Sequence, residues 1–304
     1  MLDFIDISLE MKPIVDRYGF EYGKGSCQHS FASSFCLQNK YHDKFVEKND
    51  FLYTFRSGIS DEKERVYLFP LGNLENENGI KEAISEILDD AHKNNSKVLF
   101  KTINETEKDV LYKYFSDKFN IEDSRDYYEY IYNTSDLAKL AGTTFQQKRN
   151  AINKLIKTYG ESLVIKKIEE DDIDKIKKFY YKWIEKVDDY HRSYIKTEVT
   201  EFDLAIENYK ILELLGIVIY VDNEVIGFNF GSKVSDDTYD GMIQKGNISY
   251  RGIYELLNNR TAKEFASEIQ YMNFEEDLGV EGLRKAKLIY NPIFLMKKYI
   301  AMEV

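Results

Sequence analysis

Glu275 and Asp277 stand two residues apart, and Arg284, Lys287 and Tyr290 follow within the same stretch, YMNFEEDLGVEGLRKAKLIYNP (271–292). Paired carboxylates offer a general base, and cations beside a phenol offer charge stabilisation and a proton, which are the parts of acid–base catalysis. Glu275 or Asp277 is the candidate base, since a partly buried carboxylate beside another has a raised pKa. Arg284 and Lys287 are candidates for binding phosphate or developing negative charge, and Tyr290 for carrying a proton.

The elements that must position these groups can be read from spacing. If 271–277 is a strand, alternation puts Met272, Phe274 and Glu276 on one face and Tyr271, Asn273, Glu275 and Asp277 on the other. Met272 and Phe274 are then the core side. The strand's end delivers the carboxylates, where ligands collect in open α/β sheets. Gly279 and Gly282 allow a turn before a short helix on which Arg284 and Lys287 share a face. A structural alternative stands beside this: Glu281–Lys285 is the usual solvent-face pair, and Glu276 is in reach of Arg284 for an ion pair.

A second stretch, TTFQQKRNAINKLIKTY (143–159), reads as a capped helix with Phe145, Ile152, Leu155 and Ile156 on its apolar stripe. Lys148, Arg149, Lys154 and Lys157 decorate it, and Gly160 ends it. It is either a solvated basic face or an anion-recognition surface that includes Asn153, with Arg149 suited to bidentate contact.

The chain of 304 residues exceeds the usual size of one core, so two domains are expected, at 1–135 and 136–304. Only three prolines and no Gly/Ser-rich linker separate them. Helices interleave with strands in the first half. The second half reads strand, helix, helix, three antiparallel strands beginning with a hairpin at Asp222-Asn223, helix, strand, helix and a last apolar piece at 293–302.

That order is similar to the GNAT (N-acetyltransferase-like) fold. The stretches DLAKLAGTTFQQKRNAINKL (136–155) and 271–292, echoed by SFASSFCLQNKYHDKF (30–45), resemble a bacterial family related to the C-terminal domain of phosphatidylglycerol lysyltransferase. The resemblance implies two tandem GNAT-like domains of α/β (α+β) class, with mixed, largely antiparallel sheets flanked by helices. As in Fem-type aminoacyltransferases, the cleft is expected in the second. It further implies aminoacyl-tRNA or an acyl-CoA such as acetyl-CoA as donor, tRNA as a partner, and a small-molecule, lipid or peptide head-group acceptor. Acetylating members of the superfamily hold pyrophosphate in a glycine-rich loop. At the matching place stands QKGNISYRGIYELL (244–257), a poor cradle in which Arg251 and Gly252 are the phosphate contacts. A non-catalytic module binding a nucleotide or charged metabolite is the alternative.

A net charge of −11 argues against non-specific binding to nucleic acid or anionic membranes. No apolar run is long enough to span a bilayer and no signal peptide is legible, so a cytoplasmic protein with free thiols at Cys27 and Cys36 is expected. Cys27, His29, Cys36 and His42 match no compact zinc-ligand spacing, and no metal is expected. Tyr190 and His191, in DDYHRSY (188–194), are candidates for a cleft mouth.

Overall fold

The computed structural model describes residues 2–186 and 192–304, with the backbone alone over 192–196. The chain divides into two compact units. The first comprises 1–130 together with 276–284 and 295–304; the second comprises 131–275 and 285–294. The sequence boundary near 135 therefore misses two late segments that belong with the first unit.

The first unit is built on a seven-stranded sheet. In chain order come β1 (Ile5–Asp6), α1 (Lys12–Tyr22), α2 (Phe31–Cys36), α3 (Gln38–Tyr41), β2 (Asp43–Lys48), β3 (Phe51–Arg56), β4 (Glu64–Tyr67), α4 (Glu77–Lys93), β5 (Lys97–Ile103), α5 (Glu105–Phe115) and β6 (Phe119–Asp123). The sheet order is β1-β2-β3-β4-β5-β14-β6, in which β14 (Tyr299–Glu303) inserts antiparallel between β5 and β6. A strand with alternating buried Phe51, Tyr53 and Phe55 packs against Ile80, Ile84 and Ile87 of α4. Those isoleucines recur at helical spacing, and each full burial contributes about 2 kcal/mol. A capping box starts α5, with Asn104 Oδ1 accepting from Glu107 N at 3.0 Å.

The second sheet also has seven strands, in the order β13-β7-β12-β11-β10-β9-β8. Its elements in chain order are β7 (Glu129–Asn133), α6 (Thr134–Lys139), α7 (Gln146–Tyr159), β8 (Leu163–Lys167), α8 (Ile173–Ile184), α9 (Arg192–Glu207), β9 (Leu215–Val221), β10 (Glu224–Lys233), β11 (Thr238–Gly246), α10 (Ile253–Phe265), β12 (Tyr271–Asn273), α11 (Glu281–Leu288) and β13 (Phe294–Met296). The β9–β10 hairpin turns at Asp222 and Asn223, both with positive φ, as a two-residue primed turn requires. β11 pairs parallel to β12, while the β8–β9, β9–β10, β10–β11 and β12–β7 pairs are antiparallel. Its core joins Ile152 and Leu155 of α7 to Ile217, Ile219, Leu256 and Leu257.

Three local expectations fail. β12 stops at Asn273, so the strand does not carry to 277, and Asn273 is fully buried while Phe274 is only partly so. Glu275 and Leu278 take left-handed backbone, which ends period-2 alternation at once. Thr143 is not the cap of α7; the helix opens at Gln146 with no side-chain cap.

Candidate functional site

In the second unit α7, α10 and the turn after α11 bring Lys148 together with Tyr290. Lys148 lies on the buried side of its helix, one turn before Ile152, rather than on the solvated face that its charge suggests. It is 8% exposed, and its Nζ sits 4.1 Å from the centre of the Tyr290 ring. Among the described residues Lys148 makes no ion pair. Burial lowers its pKa, and the Glu255 carboxylate opposes that only in part. Such an ammonium costs free energy to keep, which makes it a candidate for a functional group.

Tyr290 is also 8% exposed. Burial pushes its phenol well above the usual value, and the facing Asn258 side chain pulls slightly the other way. At neutral pH it is therefore a proton donor and not a base. Gln244 on β11 donates through Nε2 to Asn258 Oδ1 at 2.6 Å, which fixes the amide on α10. The turn holding Tyr290 is tied back by Tyr290 N to Lys287 O at 3.1 Å and by Tyr132 Oη to Lys287 O at 2.8 Å. Asn258, Glu255 and Gln244 were missed from sequence, although polar residues three apart on the inner face of an apolar helix are a legible signal.

Gly252 serves packing. Its φ is +98°, and a Cβ there would meet Ala151 O of α7 at 3.0 Å. The glycine lets α10 start against α7, and Arg251 beside it is exposed. Arg149 donates to Leu140 O and to Gly142 O, the latter at 2.7 Å. It braces the loop before α7 through one nitrogen, Nη1, which makes both bonds. Asn153, Lys154 and Lys157 are exposed. Glu275 is half-buried, and its N donates to Asn273 Oδ1 at 2.8 Å. Tyr190 and His191, candidates for a cleft mouth, lie outside the described residues.

In the first unit Asp277 and Arg284 also meet, with a different consequence. Asp277 is fully buried; its carboxylate accepts from Arg284 Nε at 2.9 Å, Arg284 Nη2 at 2.8 Å, Arg125 Nη1 at 3.0 Å and Tyr130 Oη at 2.5 Å. Arg284 also reaches Asp126 Oδ1 at 2.7 Å. Burial alone would raise the Asp277 pKa, but the Arg284 and Tyr130 hydrogen bonds outweigh it and hold the carboxyl far below the usual range. The raised pKa expected of a general base is reversed here, because a bidentate arginine replaces the neighbouring carboxylate as the dominant partner. The structural ion pair of Arg284 is made with Asp277, not Glu276.

A second buried polar group in this unit escaped the sequence reading. Lys298 Nζ lies 2.6 Å from Glu129 Oε1 and 2.7 Å from Ser26 Oγ, and Cys27 N donates to Glu129 Oε2 at 3.0 Å. Desolvation would lower the Lys298 pKa, but Glu129 reverses the sign and keeps it raised. Cys27, Glu129 and Glu276 offer donor atoms within 4.8 Å of one another. The ammonium already on Glu129 makes that trio a poor cation site. The Lys297-Lys298 pair within an apolar C-terminal run was the available signal.

The family described as "Phosphatidylglycerol lysyltransferase, C-terminal" matches residues 20–302, and the chain belongs to it. An uncharacterised protein of Mycoplasmoides gallisepticum is 27% identical over 175 residues, 58% of this chain and 56% of that protein. The match thus spans little more than half of that relative's length. A conserved protein of unknown function from Bacteroides thetaiotaomicron has the same fold at a TM-score of 0.93, with 28% identity and all of both chains covered. The L-PGS structure from Bacillus licheniformis gives a TM-score of 0.66 at 13% identity over 95% of this chain and 90% of that one. A tandem GNAT protein from the clavulanic acid pathway gives 0.51 at 8% identity over 100% and 98%, so the fold is GNAT-like. Among the described residues no helix is long and apolar enough to cross a membrane.

Proposed function

We propose that this member of the phosphatidylglycerol lysyltransferase C-terminal family transfers an acyl or aminoacyl group from a charged donor to an amine or hydroxyl acceptor. The observation that carries the reading is the buried Lys148 ammonium, without an ion pair among the described residues, against the Tyr290 phenol. The acceptor's nitrogen or oxygen attacks the donor carbonyl; that bond forms as the bond to the donor's leaving oxygen or sulfur breaks. Lys148 stabilises the negative charge that develops, and Tyr290, protonated at neutral pH, hands its proton to the leaving group. Glu275 is assigned the acceptor's proton. Asp277 is given no part in the proton transfer, since an ion-paired carboxylate with a depressed pKa is a weak base. Aminoacyl-tRNA is the preferred donor and an acyl-CoA the alternative, with Arg251, Lys287 and Asn153 as outer contacts.

The test is transfer of labelled acyl or aminoacyl groups to hydroxylamine by the wild type, Lys148→Ala, Tyr290→Phe and Glu275→Gln. Each substitution lowers the rate by about 10²- to 10⁴-fold. If Tyr290→Phe and Glu275→Gln both left transfer and donor binding unchanged, the assignment is wrong. One observation favours a second reading. Gly252 is accounted for by helix packing, which leaves the phosphate loop degenerate and suits a module that binds its ligand saturably without turnover.

A further inference from the structure

We propose that Gln244 on β11 and Asn258 on α10 are positioning residues that set the direction in which the Tyr290 hydroxyl gives its proton. Gln244 Nε2 donates to Asn258 Oδ1 at 2.6 Å, so the amide oxygen of Asn258 is taken and its donor side, Nδ2, is the side left for Tyr290. The Asn258 side chain faces the phenol and acts on it as a hydrogen-bond donor does, favouring the ionised form. Asn258 and Tyr290 are both buried, so water is no ready substitute for either bond. A neighbouring pair shows the contrast. Asn229, opposite Gln244 on β10, donates through Nδ2 to Thr261 Oγ1 at 2.7 Å and accepts from it through Oδ1 at 2.9 Å. That pair is closed on itself and joins sheet to helix, whereas the Gln244–Asn258 pair, one helical turn earlier on α10, continues to the phenol.

The direction decides what Tyr290 can do. With its oxygen facing the Asn258 donor, the phenol keeps its own O–H for another acceptor, and among the described residues none takes it. Lys148 does not, since an ammonium has no lone pair and its Nζ lies over the ring, 4.1 Å from the centre. Were the amide reversed, Asn258 Oδ1 would accept that proton and hold it inside the protein. The group this arrangement receives is therefore an oxygen or sulfur acceptor that carries or gains negative charge. On the transfer reading, on which this role rests, the proton leaves Tyr290 Oη for the leaving oxygen or sulfur as the bond to the carbonyl breaks. The phenolate left behind is steadied by Asn258 Nδ2–H and the Lys148 ammonium, and is reprotonated from water.

The experiment is a double-mutant cycle in the full chain, Gln244→Glu and Asn258→Leu singly and together. It is read by calorimetric binding of acetate, and by transfer to hydroxylamine from ester donors with a poor (ethyl) and a good (p-nitrophenyl) leaving group. Gln244→Glu puts an acceptor where the donor was and turns the Asn258 amide round. It is expected to weaken acetate binding about tenfold and to slow ethyl-ester transfer about tenfold, while p-nitrophenyl transfer changes by less than about twofold because that leaving group needs no proton. In the Asn258→Leu background the same substitution changes nothing further, since its effect travels through Asn258. Gln244→Met, which adds no charge and frees the amide to rotate, gives the same leaving-group dependence and keeps the test intact if Asn258→Leu does not fold. An effect of equal size on both donors, an effect that survives in Asn258→Leu, or absence of coupling from both readouts overturns the proposal. Coupled acetate binding without any transfer leaves the amide pair's role standing and the transfer reading wrong; transfer lost in Tyr290→Phe beside an uncoupled cycle does the reverse.

Discussion

At the scale of single residues, two buried charges carry opposite consequences. Lys148 is desolvated without an ion pair among the described residues, so Lys148→Met removes a cost and leaves the packing. It is expected to raise stability by about 1 kcal/mol, seen as a higher melting temperature, while the shift produced by donor ligands disappears. A residue kept for the fold would lose stability instead. Asp277 is the converse: Asp277→Asn leaves two arginines facing a neutral amide and costs about 3 kcal/mol by denaturant titration. The pH dependence has a definite sign. An unfolded aspartate takes up its proton near about 3.9, while the folded Asp277 stays charged well below that. The stabilisation is fully present above about pH 4 and is lost as pH falls toward the folded value, because the unfolded state then binds the extra proton. Asp277→Asn should flatten that acid limb, and an unchanged limb would show that Asp277 is not its source.

At the scale of elements, the seat of Lys148 is fixed by how α7 meets α10. Gly252 combines left-handed backbone with a Cβ direction already occupied by Ala151 O. Gly252→Ala is therefore strained twice and is expected to cost about 2 kcal/mol, with a fall in transfer or ligand binding larger than the stability loss explains. Arg149 acts on the same element through its bonds to Leu140 O and Gly142 O. Arg149→Ala removes both bonds, and the prediction is weaker ligand binding at unaltered secondary structure, read by calorimetry and circular dichroism.

At the scale of the whole molecule, the first sheet is completed by the last strand. β14 pairs with β5 on one side and β6 on the other, and Ala301 is fully buried in that core. Removing 295–304 leaves β5 and β6 with unpaired edges in mid-sheet. The truncated chain is expected to lose the cooperative unfolding of the first unit and to be cut there by protease, and protection equal to the full chain would contradict this. A fragment of 1–130 alone should fail for the same reason.

Composition and periodicity determined a good deal. The β9–β10 hairpin and the α7 stripe of Ile152 and Leu155 were legible because local backbone preference and one-sided burial agree there. The motifs at 136–155 and 271–292 carried the family. Spacing alone also named Lys148 and Tyr290 as candidates, since their chemistry is written in their types. What the tertiary structure decided was which charges are buried and what each faces. Nothing local says that Lys148 turns inward, that Asp277 is clamped by Arg284 and Arg125, or that Lys298 meets Glu129 across 169 residues of chain. Solvation and pairing energies depend on neighbours brought in from distant sequence, and those neighbours set the sign of each pKa shift and the role it permits.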